Sequence, residues 1–279
     1  MVSTSRGSKG QGGESLRRLH ADITGFCRDV TDEEWLSPSR AEGWRVHDVM
    51  AHMSGTAKAL FTPTAIRLLA SNDIERANDT LVDSRRTWAR SRVEGEFDRW
   101  GPRVASMVGG LGRTPIGGIR VPLAELGRFP LVCILGEAVS FDQHTHLHHD
   151  LAPALDREAP PTDDLRMTLV VSWMMRVLGN QLTSANPAWL DRPIAITLDG
   201  PGGGTWRIEP GGAIAPGSAT GAAVTLASRS VDFPAWGTAR VPAKVTDLTI
   251  TGDVELSDAF LGSLNIVWHY GPRRRPAPM

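Results

Sequence analysis

Cysteine is scarce in this chain: Cys27 and Cys133 are the only two among 279 residues. Neither stands in a Cys-x-x-Cys pair, which excludes redox chemistry of that type. Both are expected to be reduced, buried or half-buried thiols. No apolar run reaches the roughly 20 residues of a membrane span. The N-terminus lacks the apolar core of a secretory leader, so a cytoplasmic protein is expected. Neither sign of charge dominates. The net charge is −1, so there is no general basic field for nucleic acid and no acidic one for cations. What remains is ordinary for a globular protein, 41% hydrophobic and 22% charged, with room for two domains.

Read in order, residues 1–13 are polar and glycine-rich and are expected to be disordered. Leu16, Leu19, Ile23, Phe26 and Val30 then recur at helical spacing, and Thr31 and Glu34 are placed for a capping box. A loop at Ser37–Ser39 and Glu42-Gly43 precedes a helix whose buried face is marked by Val46, Val49, Met50 and Met53. That helix should break near Pro63 and resume through Ile66, Leu68 and Leu69. Residues 79–108 read as one long helix, weakened around Gly95 and Gly101. Residues 109–130, rich in Gly and Pro, read as a long connection. A fourth helix starts near residue 131. Four helices with one long crossover predict an antiparallel bundle with its site in the core.

Prolines 153, 160 and 161 mark a boundary. Beyond it Leu165–Leu182 is a strongly apolar helix, followed by short alternating runs. Strands are expected at Ile194–Leu198, Trp206–Ile208, Ala223–Leu226 and Leu248–Ile250. Gly200–Gly204 reads as a hairpin turn, since it lacks the lysine and following helix of a phosphate loop. Ser228 is placed to cap a short helix through Trp236, and Gly252-Asp253 opens a helix to Val267. The fold class is therefore α+β: a four-helix bundle over 14–155, a smaller α+β unit over 163–270, and tails at 1–13 and 271–279.

Four of the eight histidines fall between His144 and His149. Residues three and four apart share a helix face. An apolar stripe of Leu131, Leu135, Ala138 and Val139 continues through Asp142, His146 and Asp150. A carboxylate and an imidazole set into such a stripe need partners, because an unpaired buried charge is costly. A divalent metal serves both. His52 borders the buried face of the second helix and supplies a further ligand, while His47 leans off that face. His52, Asp142 and His146 give three protein ligands with an open position, the pattern of a reactive site. His144 and His148 lie about 200° around from Asp142. With Glu137 on their side they form a rival metal pair, or else a solvated polar face. Asp150 either supports a ligand or bonds a loop.

Gly43-Trp44-Arg45-Val46-His47-Asp48-Val49-Met50-Ala51-His52 resembles the tryptophan-to-metal-histidine segment of the mycothiol-dependent maleylpyruvate isomerase family. Asp142-x3-His146 with Asp150-Leu151 resembles its acid-x3-histidine helix, where the family's acid is often the longer Glu. Trp236-Gly-Thr-Ala-Arg240-Val-Pro242 and Thr249-Ile-Thr-Gly252-Asp253 fall in the family's order. The resemblance spans residues 15–268. It implies a DinB-like metal-binding bundle joined to a sterol-carrier-like domain, zinc as the ion, and mycothiol as the thiol completing the site. It implies a metal-dependent isomerase or S-transferase acting on a small, electrophilic, carboxylate-bearing substrate, with Arg240 holding that carboxylate. The alternatives are a non-catalytic metal- or lipid-binding module, or a metal-free helical scaffold for a protein partner.

Overall fold

The computed structural model describes residues 10–66, 71, 73–243, 246–264 and 266. The expectations for Leu68, Leu69, Val267 and the tail 271–279 lie outside them.

The N-terminal half is helical. It comprises α1 (Gln11–Arg28), α2 (Asp32–Leu36), α3 (Val46–Ala59), α4 (Ile74–Asp83), α5 (Arg90–Leu111) and α6 over residues 131–151. The Thr31–Glu34 capping box forms as expected, and α3 is opened by Asp48 accepting from the Arg45 backbone N–H. Helices α1, α3, α5 and α6 make the bundle. Their apolar stripes meet in clusters built on residues such as Ile23, Met50, Phe97 and Leu147, all essentially buried.

Four expectations are corrected here. Residues 11–13 are not disordered: they are the first turn of α1, with Gly12 and Gly13 buried. A Cβ on Gly13 would lie 2.5 Å from the Ala105 carbonyl oxygen and 2.8 Å from the Gly109 nitrogen, so glycine lets α1 and α5 touch backbone to backbone. Residues 79–108 are two helices. The Arg85 guanidinium takes the Leu81 carbonyl at 2.9 Å and Glu96 at 2.6 Å, which closes α4 and pins the bend before α5. Gly101 does not weaken α5; it leaves room for the His20 ring, whose Cδ2 a Cβ would approach to 2.4 Å. The stretch 109–130 is not a bare connection. It carries a 3-10 turn at Pro115–Gly118 and a hairpin of β1 (Arg120–Leu123) and β2 (Gly127–Pro130).

Helix α6 is one continuous rod in which α turns at Leu131–Cys133 and Val139–Thr145 alternate with π turns at Ile134–Ala138 and His146–Leu151. Such widenings are rare and occur often at functional sites.

After a linker, α7 (Asp164–Ala185) is capped by Asp163 and ends on Asn186 in the left-handed conformation. It packs on a five-stranded sheet of order β5-β4-β3-β6-β7. Strands β3 (Ile194–Asp199) and β6 (Val224–Arg229) run parallel, with Ile194 opposite Val224. The other pairings, to β4 (Gly204–Ile208), β5 (Ile214–Pro216) and β7 (Thr249–Gly252), are antiparallel. Strand β5 went unread in the sequence. Ser228 does not cap a helix. It ends β6 and accepts a hydrogen bond from the Trp236 indole at 3.1 Å, under α8 (Phe233–Gly237). Asp253 caps α9 (Val254–Ser263) as expected. The α+β class stands. The hairpin and the start of α6, through Leu123, Leu126 and Ile134, share one apolar cluster with α7 and the sheet. No helix among the described residues is long and apolar enough to cross a membrane.

Candidate metal centre

Three of the residues singled out in the sequence meet in space. His52 on α3 and Asp142 and His146 on α6 each offer one donor atom, and these atoms lie within 4.8 Å of one another. The His52 Nε2 stands 3.0 Å from Asp142 Oδ1, and the His146 Nε2 stands 3.5 Å from the same oxygen. Both rings are buried, whereas the Asp142 side chain keeps 28% exposure toward a cavity. The two ring planes meet edge to face at 5.1 Å. Trp44 packs against both rings, with centroids 5.2 Å from His52 and 6.1 Å from His146. Its indole N–H is held by Asp79 on α4 at 3.2 Å.

Asp150 meets both expectations held for it, backing His146 and bonding the loop that carries Arg240. It is fully buried and accepts a 2.7 Å hydrogen bond from His146 Nδ1. That bond fixes the tautomer that leaves Nε2 facing the other donors, the second layer usual behind a metal-binding imidazole. Arg240 grips Asp150 from the sheet side, with Nε 3.1 Å from Oδ1 and Nη2 3.2 Å from Oδ2, and donates through Nη1 to Thr238. Ala239, at φ 55, takes the left-handed turn that brings this arginine back to α6. The carboxylate that Arg240 holds in this structure is Asp150. Arg240 reaches His146 through Asp150.

The electrostatics follow from these contacts. Burial disfavours the charge on Asp142, but His52 and His146 beside it overcome that and hold its carboxyl well below the usual range. Burial also opposes ionisation of Asp150; the Arg240 charge and the His146 hydrogen bond outweigh it. Burial pushes His146 down, yet hydrogen bonds to Asp142 and Asp150 carry it up to about 9.

His144, His148 and His149 lie on the other faces and do not join the site. His144 is fully buried, stacks on His148 at 4.0 Å, and meets Thr162 through Nε2 at 3.1 Å. Glu137 pairs with Arg176 at 2.7 Å rather than with a histidine. The rival metal pair thus lacks its carboxylate, and the polar face is largely buried, His144 fully and His148 in part. His47 is also corrected. It is buried, bonded to Asp48 Oδ1 and to the Trp88 carbonyl, and wedges α3 against the loop before α5. Trp44 was noticed in the sequence only as part of a motif; nothing local in the sequence shows that its ring covers both imidazoles.

A divalent cation suits these residues. Two imidazoles and one carboxylate form a donor set of the open zinc type. The Nε2 atoms already turn to one carboxylate oxygen, and the His146 ring is anchored from behind by Asp150. The buried His52 Nδ1 has no hydrogen-bond partner among the described residues.

The mycothiol maleylpyruvate isomerase N-terminal domain model matches residues 16–108. The crystal structure of the mycothiol-dependent maleylpyruvate isomerase is similar in fold, with 16% sequence identity and a TM-score of 0.54, over 87% of this chain and 93% of that chain. A mutant of that enzyme gives 14% identity and a TM-score of 0.48 over the same shares. No curated protein matches the sequence. Residues 16–108 are thus similar in sequence to the mycothiol maleylpyruvate isomerase N-terminal domain, and most of the chain is similar in fold to that isomerase.

Proposed function

We propose that this protein is a metal-dependent enzyme that uses a low-molecular-weight thiol, mycothiol, to isomerise or S-conjugate an electrophilic small molecule. One observation carries the reading above the others. Donor atoms from helices ninety residues apart in sequence lie within 4.8 Å, in a cavity, with the ring of His146 anchored from behind. When bound, the cation, zinc by the family resemblance, would ionise a coordinated thiol into a thiolate able to add to a conjugated double bond and later leave it.

The chain's own residues supply the rest. His52, Asp142 and His146 would hold the ion. Asp150 orients His146, and Arg240 holds Asp150, so we assign Arg240 as a positioning residue rather than the substrate clamp expected from the family. Trp44 shields both rings from water on one side. The helical part at 14–155 would then furnish the ligands, and the unit at 163–270 would buttress them through Arg240. A cytoplasmic site of action suits the two free, buried cysteines, whose thiols burial pushes up to about 12.

Elemental analysis of the purified protein tests this, with zinc and mycothiol titrations beside it. About one zinc per chain is expected, with a rise in Tm on zinc addition and mycothiol binding that requires the metal. Protein that purifies without metal, binds no added zinc and gains no Tm would overturn the reading. Product analysis on a conjugated substrate separates the two chemistries: a geometric isomer marks an isomerase, a stable thioether a transferase.

A further inference from the structure

The cavity that holds the three donors has a volume of about 650 Å3, well inside the range of roughly 300–1,000 Å3 for small-ligand sites. Its ionisable groups, among the described residues, gather at one end. Along α6 the lining passes from Leu131, Ile134 and Ala138 to Asp142, His146 and Asp150. Leu131 and Asp142 are eleven residues apart, or roughly 16 Å of helix. Helix α3 lines the opposite wall with the same gradient: His52, then Thr56, then Leu60. Leu123 and Leu126 of the hairpin and Trp173 of α7 also line it, in one apolar cluster with Ile134. The ionisable groups among the described lining residues are Arg40, Glu42, His52, Asp142, His146, Asp150 and Arg240. They belong to the loop leading to Trp44 or to the donor set and its support.

We infer that this limb seats the hydrocarbon body of the substrate. The substrate class is a conjugated carbonyl compound whose reactive double bond lies at the donor set and whose remainder is an uncharged alkyl or aryl group. This rests on the donor set being the reacting end. A second carboxylate at the apolar end would be desolvated with no cationic partner among the described lining residues there, which is costly. Arg240 stands at the donor-set end, paired with Asp150. A hydrocarbon body there gains by leaving water instead.

Binding of unreactive n-alkan-1-ols, from 1-butanol to 1-decanol, tests the limb without catalysis. Trp44 and Trp173 line the cavity and report by their fluorescence. Affinity should rise about fourfold per methylene until the limb is full. Ala138→Phe should cut the series short, losing affinity for the long alcohols while keeping 1-butanol. Leu60→Gln should flatten the slope. Affinity that does not rise with chain length in the native protein would overturn the inference, and so would an unchanged slope in both variants once circular dichroism shows them folded. The series is measured with and without zinc. A rising series in protein that binds no metal supports the limb and sinks the catalytic reading. Zinc binding with a flat series does the reverse.

Discussion

One stretch of helix α6 carries two sets of histidines with opposite fates. His146 faces Asp142 and Asp150, and its pKa stands at about 9. Two residues before it, and two and three residues after it, the other set makes no side-chain hydrogen bond to a carboxylate among the described residues. Burial drives His148 down to about 4, and the neighbouring His149 and Arg166 add to it. Burial drives His149 to about 4 as well, with Arg240 adding its charge. His144 falls well below its ordinary value for the same reason, burial first and the neighbouring imidazoles second. The same residue type, at similar depth, is made cationic on one face and neutral on the other. Neighbours decide this, and spacing decides the neighbours. Positions 142, 146 and 150 share a face, so His146 has an acid one turn away on either side.

The largest expected effect breaks the comparison outright. His146→Ala should empty the metal site, and so should His52→Ala, with helical content retained. His148→Ala should leave the metal content at the native level. Metal-to-protein ratios after gel filtration read all three, and loss of metal in His148→Ala would merge the two faces into one site.

Removing the support behind His146 should do less. Asp150→Asn is expected to weaken zinc by about 10- to 100-fold, the usual cost of an outer ligand partner. Arg240→Lys should cost less than this but not nothing, since an ammonium cannot span both Asp150 oxygens as a guanidinium does. Competition with a chelating dye gives both affinities. A native affinity in Asp150→Asn would deny the carboxylate its orienting role.

Proton release sharpens the same contrast. Metal-free His146 holds its proton below about pH 9, so zinc binding near pH 7 should expel about one proton from it, and the release should fade above pH 9. Calorimetry in buffers of different ionisation enthalpy counts that proton. On the other face the sign reverses. His148 and His149 titrate near 4 in the native state and near the ordinary 6.5 when unfolded. The unfolded chain therefore binds more protons between these values, and native stability should fall as pH drops from about 6.5 toward 4. Tm against pH should lose part of that slope in His148→Phe. An unchanged slope would mean that His148 is not held neutral.

The smallest effect is expected at Thr162→Val, which takes the hydrogen-bond partner from His144 Nε2 and should cost about 1 kcal/mol of stability with metal content unchanged.

The parts of this molecule legible in the sequence are those written in short-range spacing. The helix caps at Thr31 and Asp253 were readable because each cap and its receiver lie within three residues. The stripe that brings Asp142, His146 and Asp150 to one face was readable for the same reason, and His52 was found as the histidine bordering another buried face. What escaped depends on partners far along the chain. Gly12 and Gly13 looked like a loose tail, because only α5 folding back reveals the backbone contact that demands glycine. Arg85 looked like one more residue of a helix until Glu96, eleven positions on, drew it inward. His47 read as leaning off its helix, although the Trp88 carbonyl receives it. Arg240 was expected to face substrate because nothing in its own neighbourhood announces Asp150, ninety residues earlier. The π turns of α6 left no pattern that a reading at 3.6 residues per turn detects.

Cobalt in place of zinc tests the central claim most directly. Protein loaded with Co(II) should show the visible bands of a low-coordinate site, and a mycothiol titration should add a near-ultraviolet sulfur-to-cobalt band that saturates at one thiol per metal. In His52→Ala neither band should form. Cobalt that fails to bind the native protein, or a bound-cobalt spectrum that mycothiol leaves untouched, would contradict a three-ligand centre with a position open to sulfur.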